Sequence, residues 1–131
     1  MPAALNKFGA KRVSVLTPFN ERGNQSTLQF FAELGFEVVN IVGLACASTL
    51  DVAHVPEALM EKIIREQLAV EGVDAVLHCG TGLCMANIAE RLEPEVGVPI
   101  VGINAALLWY ALRENGYTGP LEGAGRLLRE F

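Results

Sequence analysis

The chain is short of what several large function classes require. Only ten Lys and Arg stand against fifteen Asp and Glu in 131 residues, a formal net charge of −5. Those few cations are scattered, whereas contact with a phosphate backbone needs a concentrated basic face, so no nucleic-acid partner is expected. No apolar run reaches the roughly 18 residues that cross a bilayer, and no membrane association is expected. Residues 1–11 lack the apolar stretch of a secretion signal. Cysteine is scarce and odd in number: Cys46, Cys79 and Cys84, with no C-x-x-C pair. That usage fits a reduced, cytoplasmic setting better than a disulfide framework. His54 and His78 have no Cys or His partners at zinc-binding spacing, so no metal is expected.

The glycine-rich phosphate loops are missing as well. After Cys79 come Gly80, Thr81 and Gly82, but Met85 stands where a dinucleotide fingerprint needs glycine and where a Cys-x5-Arg phosphate loop needs arginine. No Gly-Lys-Ser/Thr occurs. A nucleotide-binding module of flavodoxin type would share the fold, yet nothing here supplies its phosphate loop.

What is present describes one folded unit. Apolar residues make up 51% and charged ones 19%, which disfavours disorder. Residues 1–10 read as a loose start, and 11–131 as a single α/β lobe. RVSVL at 12–16, FEVVNIV at 36–42, DAVLH at 74–78 and VPIVGI at 98–103 have the short, apolar, β-branched character of buried strands. Between them lie helical patterns: one opened by Asn20 or Asn24 and closed at Gly35, one from Pro56 to Leu68, one from about Leu83 to Leu92. A last one opens at Asn104. Alternating strands and helices imply a four-stranded parallel sheet with helices on both faces, a flavodoxin-like or Rossmann-like three-layer lobe. Ligands of such sheets lie beyond the carboxyl ends of the strands, so the loops at Thr17, Gly43, Cys79 and Asn104 converge on one edge.

Cys79 is the leading candidate for chemistry. It ends a strand and precedes two glycines and a helix, a setting of free amides and positive helix dipole that lowers a thiol pKa. The competing reading is a buried structural cysteine at a strand end. His78, adjacent on the strand, should point to the opposite face and so cannot form a dyad with Cys79. Cys84 reads as core filler on the following helix. Thr17, Phe19 and Asn20 offer a hydroxyl, a ring and an amide suited to a small carboxylate, or else turn and capping chemistry. Ser48, Thr49 and Asp51 in the long second loop divide the same way. Trp109 and Tyr110 suit core and interface positions.

Taken in order, these segments resemble a known family. RVSVLTPFNERGN at 12–24 with GFEVV at 35–39, LHCGTGL at 77–83, GVPIVGINAALLWYALR at 97–113 and GAGRLL at 123–128 are similar to the second lobe of maleate isomerases and arylmalonate decarboxylases, in the aspartate/glutamate racemase superfamily. The resemblance covers roughly residues 11–128. It implies a cofactor-independent isomerase, racemase or decarboxylase acting at a carbon next to a carboxylate. Cys79 then matches the second-lobe cysteine that donates or accepts a proton, and Gly80, Thr81 and Gly82 help hold developing negative charge. Thr17, Phe19 and Asn20 match the loop that binds a substrate carboxylate. Two departures stand out. Phe19 stands where the family usually has Tyr, removing a donor worth about 1–3 kcal/mol in a dry site, and His78 stands where Ser is common. The resemblance also implies a first lobe, or a second copy in a homodimer with two Cys79 thiols at one site, as partner to a small mono- or dicarboxylic acid site. A non-catalytic binding or assembly lobe is the alternative from another class.

Overall fold

The computed structural model describes residues 1–131. Four strands, β1 (Arg12–Thr17), β2 (Glu37–Gly43), β3 (Ala75–His78) and β4 (Ile100–Gly102), form one parallel sheet in the order β2-β1-β3-β4. Side chains alternate across each strand, so each feeds two cores. Val13, Val15, Ala75, Leu77 and Val101 point to one face. There they meet α1 (Pro2–Lys7), α2 (Glu21–Glu33), α6 (Ile103–Glu114) and α7 (Arg126–Glu130) through Leu5, Phe31, Trp109 and Leu127. Leu16, Val76 and Ile100 point to the other face, against α4 (Glu57–Ile63) and α5 (Ala86–Val96) through Met60, Ile64, Leu68, Ile88 and Leu92. The three-layer parallel lobe expected from the sequence is the fold observed.

Several local expectations give way. The N-terminal segment is not loose: α1 buries Ala4 and Leu5, because its apolar stripe finds the sheet face beside α6. The long second loop contains a short helix, α3 (Thr49–Ala53), capped by the Ser48 hydroxyl, which accepts from Asp51 N–H at 3.2 Å. Pro56 is the N-cap residue of α4 rather than inside its first turn, and the helix runs on into a π-helical turn at Ile64–Leu68. There the Gln67 carbonyl accepts from Asn40 Nδ2 at 2.7 Å. Asn40 itself follows a register slip between Val13 and Ser14 on β1, where β2 carries one extra residue. The third crossover helix begins at Ala86, three residues later than its pattern suggested, and ends at Gly97 with Pro94 inside it. Buried Glu93 fixes that helix end: its carboxylate accepts from Ile100 N–H at 2.8 Å and Arg126 N–H at 2.7 Å, tying α5 to β4 and α7.

Candidate active site

The first loop is held from within. Thr17 is fully buried; its hydroxyl donates to Asn24 Oδ1 at 2.6 Å and accepts from Phe19 N–H at 3.2 Å. Its hydroxyl is thus committed to shaping the turn and is not free for a carboxylate. Asn24 is spent on that bond, and Asn20 caps α2 by accepting from Gly23 N–H at 3.2 Å. The strand pairing continues past β1 and β2: Leu44 N–H donates to Thr17 O, Ala45 N–H to Phe19 O and Cys46 N–H to Pro18 O, at 2.9, 3.1 and 3.0 Å. Gly43 permits this closeness, since a Cβ there would stand 2.2 Å from Asn24 Nδ2 and 2.5 Å from the Phe19 carbonyl.

The third loop, residues 79–85, packs on the first. Gly80 adopts φ +134°, and a Cβ on it would meet Pro18 Cδ at 2.5 Å, so only glycine lets the two turns touch. Phe19, 40% exposed, stands between two hollows and walls both. One, of about 380 Å³, is lined by Cys79 with Gly23, Ser26, Thr27, Phe30 and Phe31. The other, of about 530 Å³, is lined by Gly80, Thr81 and Gly82 with Pro18, Thr49 and Val52. Cys79 and the first loop therefore share an edge, as strand-end geometry requires. Cys79 lines the first hollow and the glycine run the second, with Phe19 common to both.

The thiol's electrostatics reverse the expectation from sequence. Burial among the α2-side apolar residues pushes the Cys79 thiol up to about 11, the nearby Met1 amino group offsetting only part of this. The helix expected to follow the cysteine loop directly starts only at Ala86, seven residues on, and burial dominates. At neutral pH Cys79 is a protonated thiol. His78 does point to the opposite face, is fully buried, and is held neutral by burial with a pKa of about 4. Cys84 is not core filler: it is exposed on the loop, because that loop extends past it before α5 begins. Asn104 does not cap α6; Gly102 holds that position, and Asn104 Nδ2 donates instead to Thr81 O at 3.0 Å, bracing the third loop. Ser48 and Asp51 serve α3, while Trp109 is core and Tyr110 half-exposed. Phe30, half-exposed beside Cys79, is a wall that the sequence reading missed; its helical spacing from Ser26 and Thr27 was the available clue.

Comparison with known proteins gives this arrangement a context. A maleate isomerase of Alcaligenes faecalis is 27% identical over 126 residues, covering 95% of this chain and 49% of that protein. An arylmalonate decarboxylase of Bordetella bronchiseptica is 27% identical over 132 residues, covering 96% and 53%. The structure of a Nocardia farcinica maleate cis-trans isomerase bound to TRIS superposes with a TM-score of 0.91 at 25% identity, over 98% of this chain and 52% of that one. A cysteine-to-serine mutant of that Nocardia enzyme, solved with a covalently bound succinylcysteine intermediate, shares the fold with a TM-score of 0.92 at 24% identity, over 99% of this chain and 53% of that one. The chain spans about half the length of the curated relatives it matches. A family model described as arylmalonate decarboxylase matches residues 1–128, and the chain belongs to that family.

Proposed function

We propose that this chain is a lobe of a cofactor-independent enzyme that moves a proton at a carbon next to a carboxylate, with Cys79 as the acid. The observation that carries the reading is a protonated thiol at the carboxyl end of β3, lining a hollow whose other wall is the first loop's Phe19. A thiol kept neutral by burial is suited to donating to a carbanion or enediolate, because its proton is in place when negative charge appears on the substrate. The Gly80, Thr81 and Gly82 backbone and the Asn20 amide bound neighbouring hollows, where N–H groups can hold a carboxylate. The substrate class is a small mono- or dicarboxylic acid, and isomerisation, racemisation and decarboxylation all pass through such a charged intermediate. The setting is a reduced, cytoplasmic one that leaves the thiol free.

The Cys79 hollow is open, walled by the half-exposed Phe19 and Phe30. A partner lobe or second copy closing over these rings would exclude water and complete the site. The half-length match and the high thiol pKa also favour a second reading, in which this lobe binds or assembles without catalysing. The deciding experiment is turnover of maleate and of an arylmalonate in D2O, scored by deuterium at the carbon next to the carboxylate. Cys79→Ser is expected to lose turnover by about three orders of magnitude or more, with Cys84→Ser unaffected. Equal loss in both, or none in either, would overturn the assignment, and no turnover by the unaltered chain would leave the non-catalytic reading.

A further inference from the structure

The shape of the third loop depends on one peptide. Leu83 N–H donates to Gly80 O at 3.1 Å, so residues 80–83 form a β-turn with Thr81 and Gly82 at its centre. A glycine in the third place of such a turn lets the central peptide take either of two orientations, related by a half-rotation of its plane. The flipped form needs a positive φ at that glycine. Gly82 is not among the residues with positive φ, so the unflipped form is the one present.

Asn104 is what holds it there. From the first turn of α6 its Nδ2 donates to Thr81 O at 3.0 Å. A trans peptide is planar, with its C=O and N–H antiparallel. Holding the Thr81 carbonyl towards α6 therefore turns the Gly82 N–H away from α6. Gly80, Thr81 and Gly82 line the hollow of about 530 Å³, to which Asn104 does not contribute. Asn104 walls a separate cavity of about 240 Å³, and Thr81 is common to both, so this peptide stands between the two. None of the Gly80, Thr81 and Gly82 N–H groups has a backbone acceptor. A flip would exchange the groups on offer, presenting the Thr81 carbonyl, which repels a carboxylate, where a donor now stands. One net hydrogen bond is enough to bias such an equilibrium by up to about tenfold.

We propose that Asn104 is a positioning residue: it locks the Thr81–Gly82 peptide so that the Gly82 N–H, and not the Thr81 carbonyl, is offered to a substrate carboxylate. The proposal rests on the reading of the glycine run as the carboxylate holder. Asn104→Leu tests it on the whole chain, removing the donor without changing charge, at an exposed helical position where leucine is well tolerated. In solution NMR, the NOE between the Thr81 Hα and the Gly82 amide proton is weak in the unflipped turn and strong in the flipped one. It is expected to be weak in the unaltered chain and to strengthen in Asn104→Leu, with the indole resonance of buried Trp109 unmoved as the sign of an intact fold. Titration with succinate, an unreactive dicarboxylate, is expected to shift the Gly82 amide saturably in the unaltered chain and to bind about tenfold more weakly in the variant. A turn that stays unflipped in Asn104→Leu, or equal succinate affinity in the two proteins, would overturn the proposal and leave the carboxylate reading standing. No saturable Gly82 shift in the unaltered chain up to about 50 mM would instead remove that reading, and the proposal with it.

Discussion

Cys79 shows how burial and dipoles compete for one proton. A thiol beside a helix start is normally acidified, but here the helix begins at Ala86 and the apolar packing against α2 wins, lifting the pKa to about 11. Alkylation should follow: in a Cys46→Ser, Cys84→Ser background, iodoacetamide labelling of Cys79 should be slow at pH 7 and rise about tenfold per pH unit until it levels near the thiol pKa. Labelling that is fast and flat from pH 7 to 9 would mean the buried environment does not hold in solution. The position of Cys79 was legible in sequence, because a strand followed by two glycines points to the sheet's carboxyl edge. The sign of its pKa shift was not, since it turns on where a helix begins, and the residues 83–85 carry the same apolar pattern whether coiled or helical. Thr17 left two readings open, a carboxylate contact or turn chemistry, for a related reason. A hydroxyl at a strand end looks free until the fold supplies Asn24 at 2.6 Å.

Among the elements, the four strands were readable as short apolar, β-branched runs bounded by turn residues, and the large crossover helices from their spacing. The helices missed, α1, α3 and α7, are five or six residues long and stabilised by their neighbours rather than by a pattern of their own, and the π-helical turn hid inside the helix read from Pro56 to Leu68. The entry to β1 offers a sharper test. Asp74 Oδ2 accepts from Lys11 N–H at 2.8 Å and Arg12 N–H at 2.7 Å, and these two bonds hold its carboxyl below the ordinary aspartate value of 3.8. A depressed carboxylate stabilises the fold above its unfolded pKa and loses that contribution as pH falls through the folded one. Asp74→Asn is expected to cost about 1 kcal/mol in urea unfolding at pH 7. At pH 3 the difference between the two proteins should narrow; a gap that stays constant would show that the charge is irrelevant.

The molecule as a whole matches about half of each relative and carries exposed aromatic rings where its candidate site opens. Isolated apolar side chains on a surface need no explanation, but Phe19 and Phe30 wall the same hollow as the candidate acid. If that face receives a partner lobe or a second copy, Phe30→Glu should lower the mass of the associated species seen by sedimentation. Identical sedimentation of the two proteins would remove this face from assembly. No helix is long and apolar enough to cross a membrane, so the exposed rings are not part of a helical span. The stitching of residues 17–19 to 44–46 has a bearing on which parts of the candidate site can vary. With Gly43, Asn24 and Thr17 interlocked, the inner rim is a fixed anvil with no room for a side chain at position 43. Room for change lies instead on the outer rim, between Ala47 and Pro56, where α3 rides on a few local bonds and can be reshaped without unpicking the sheet.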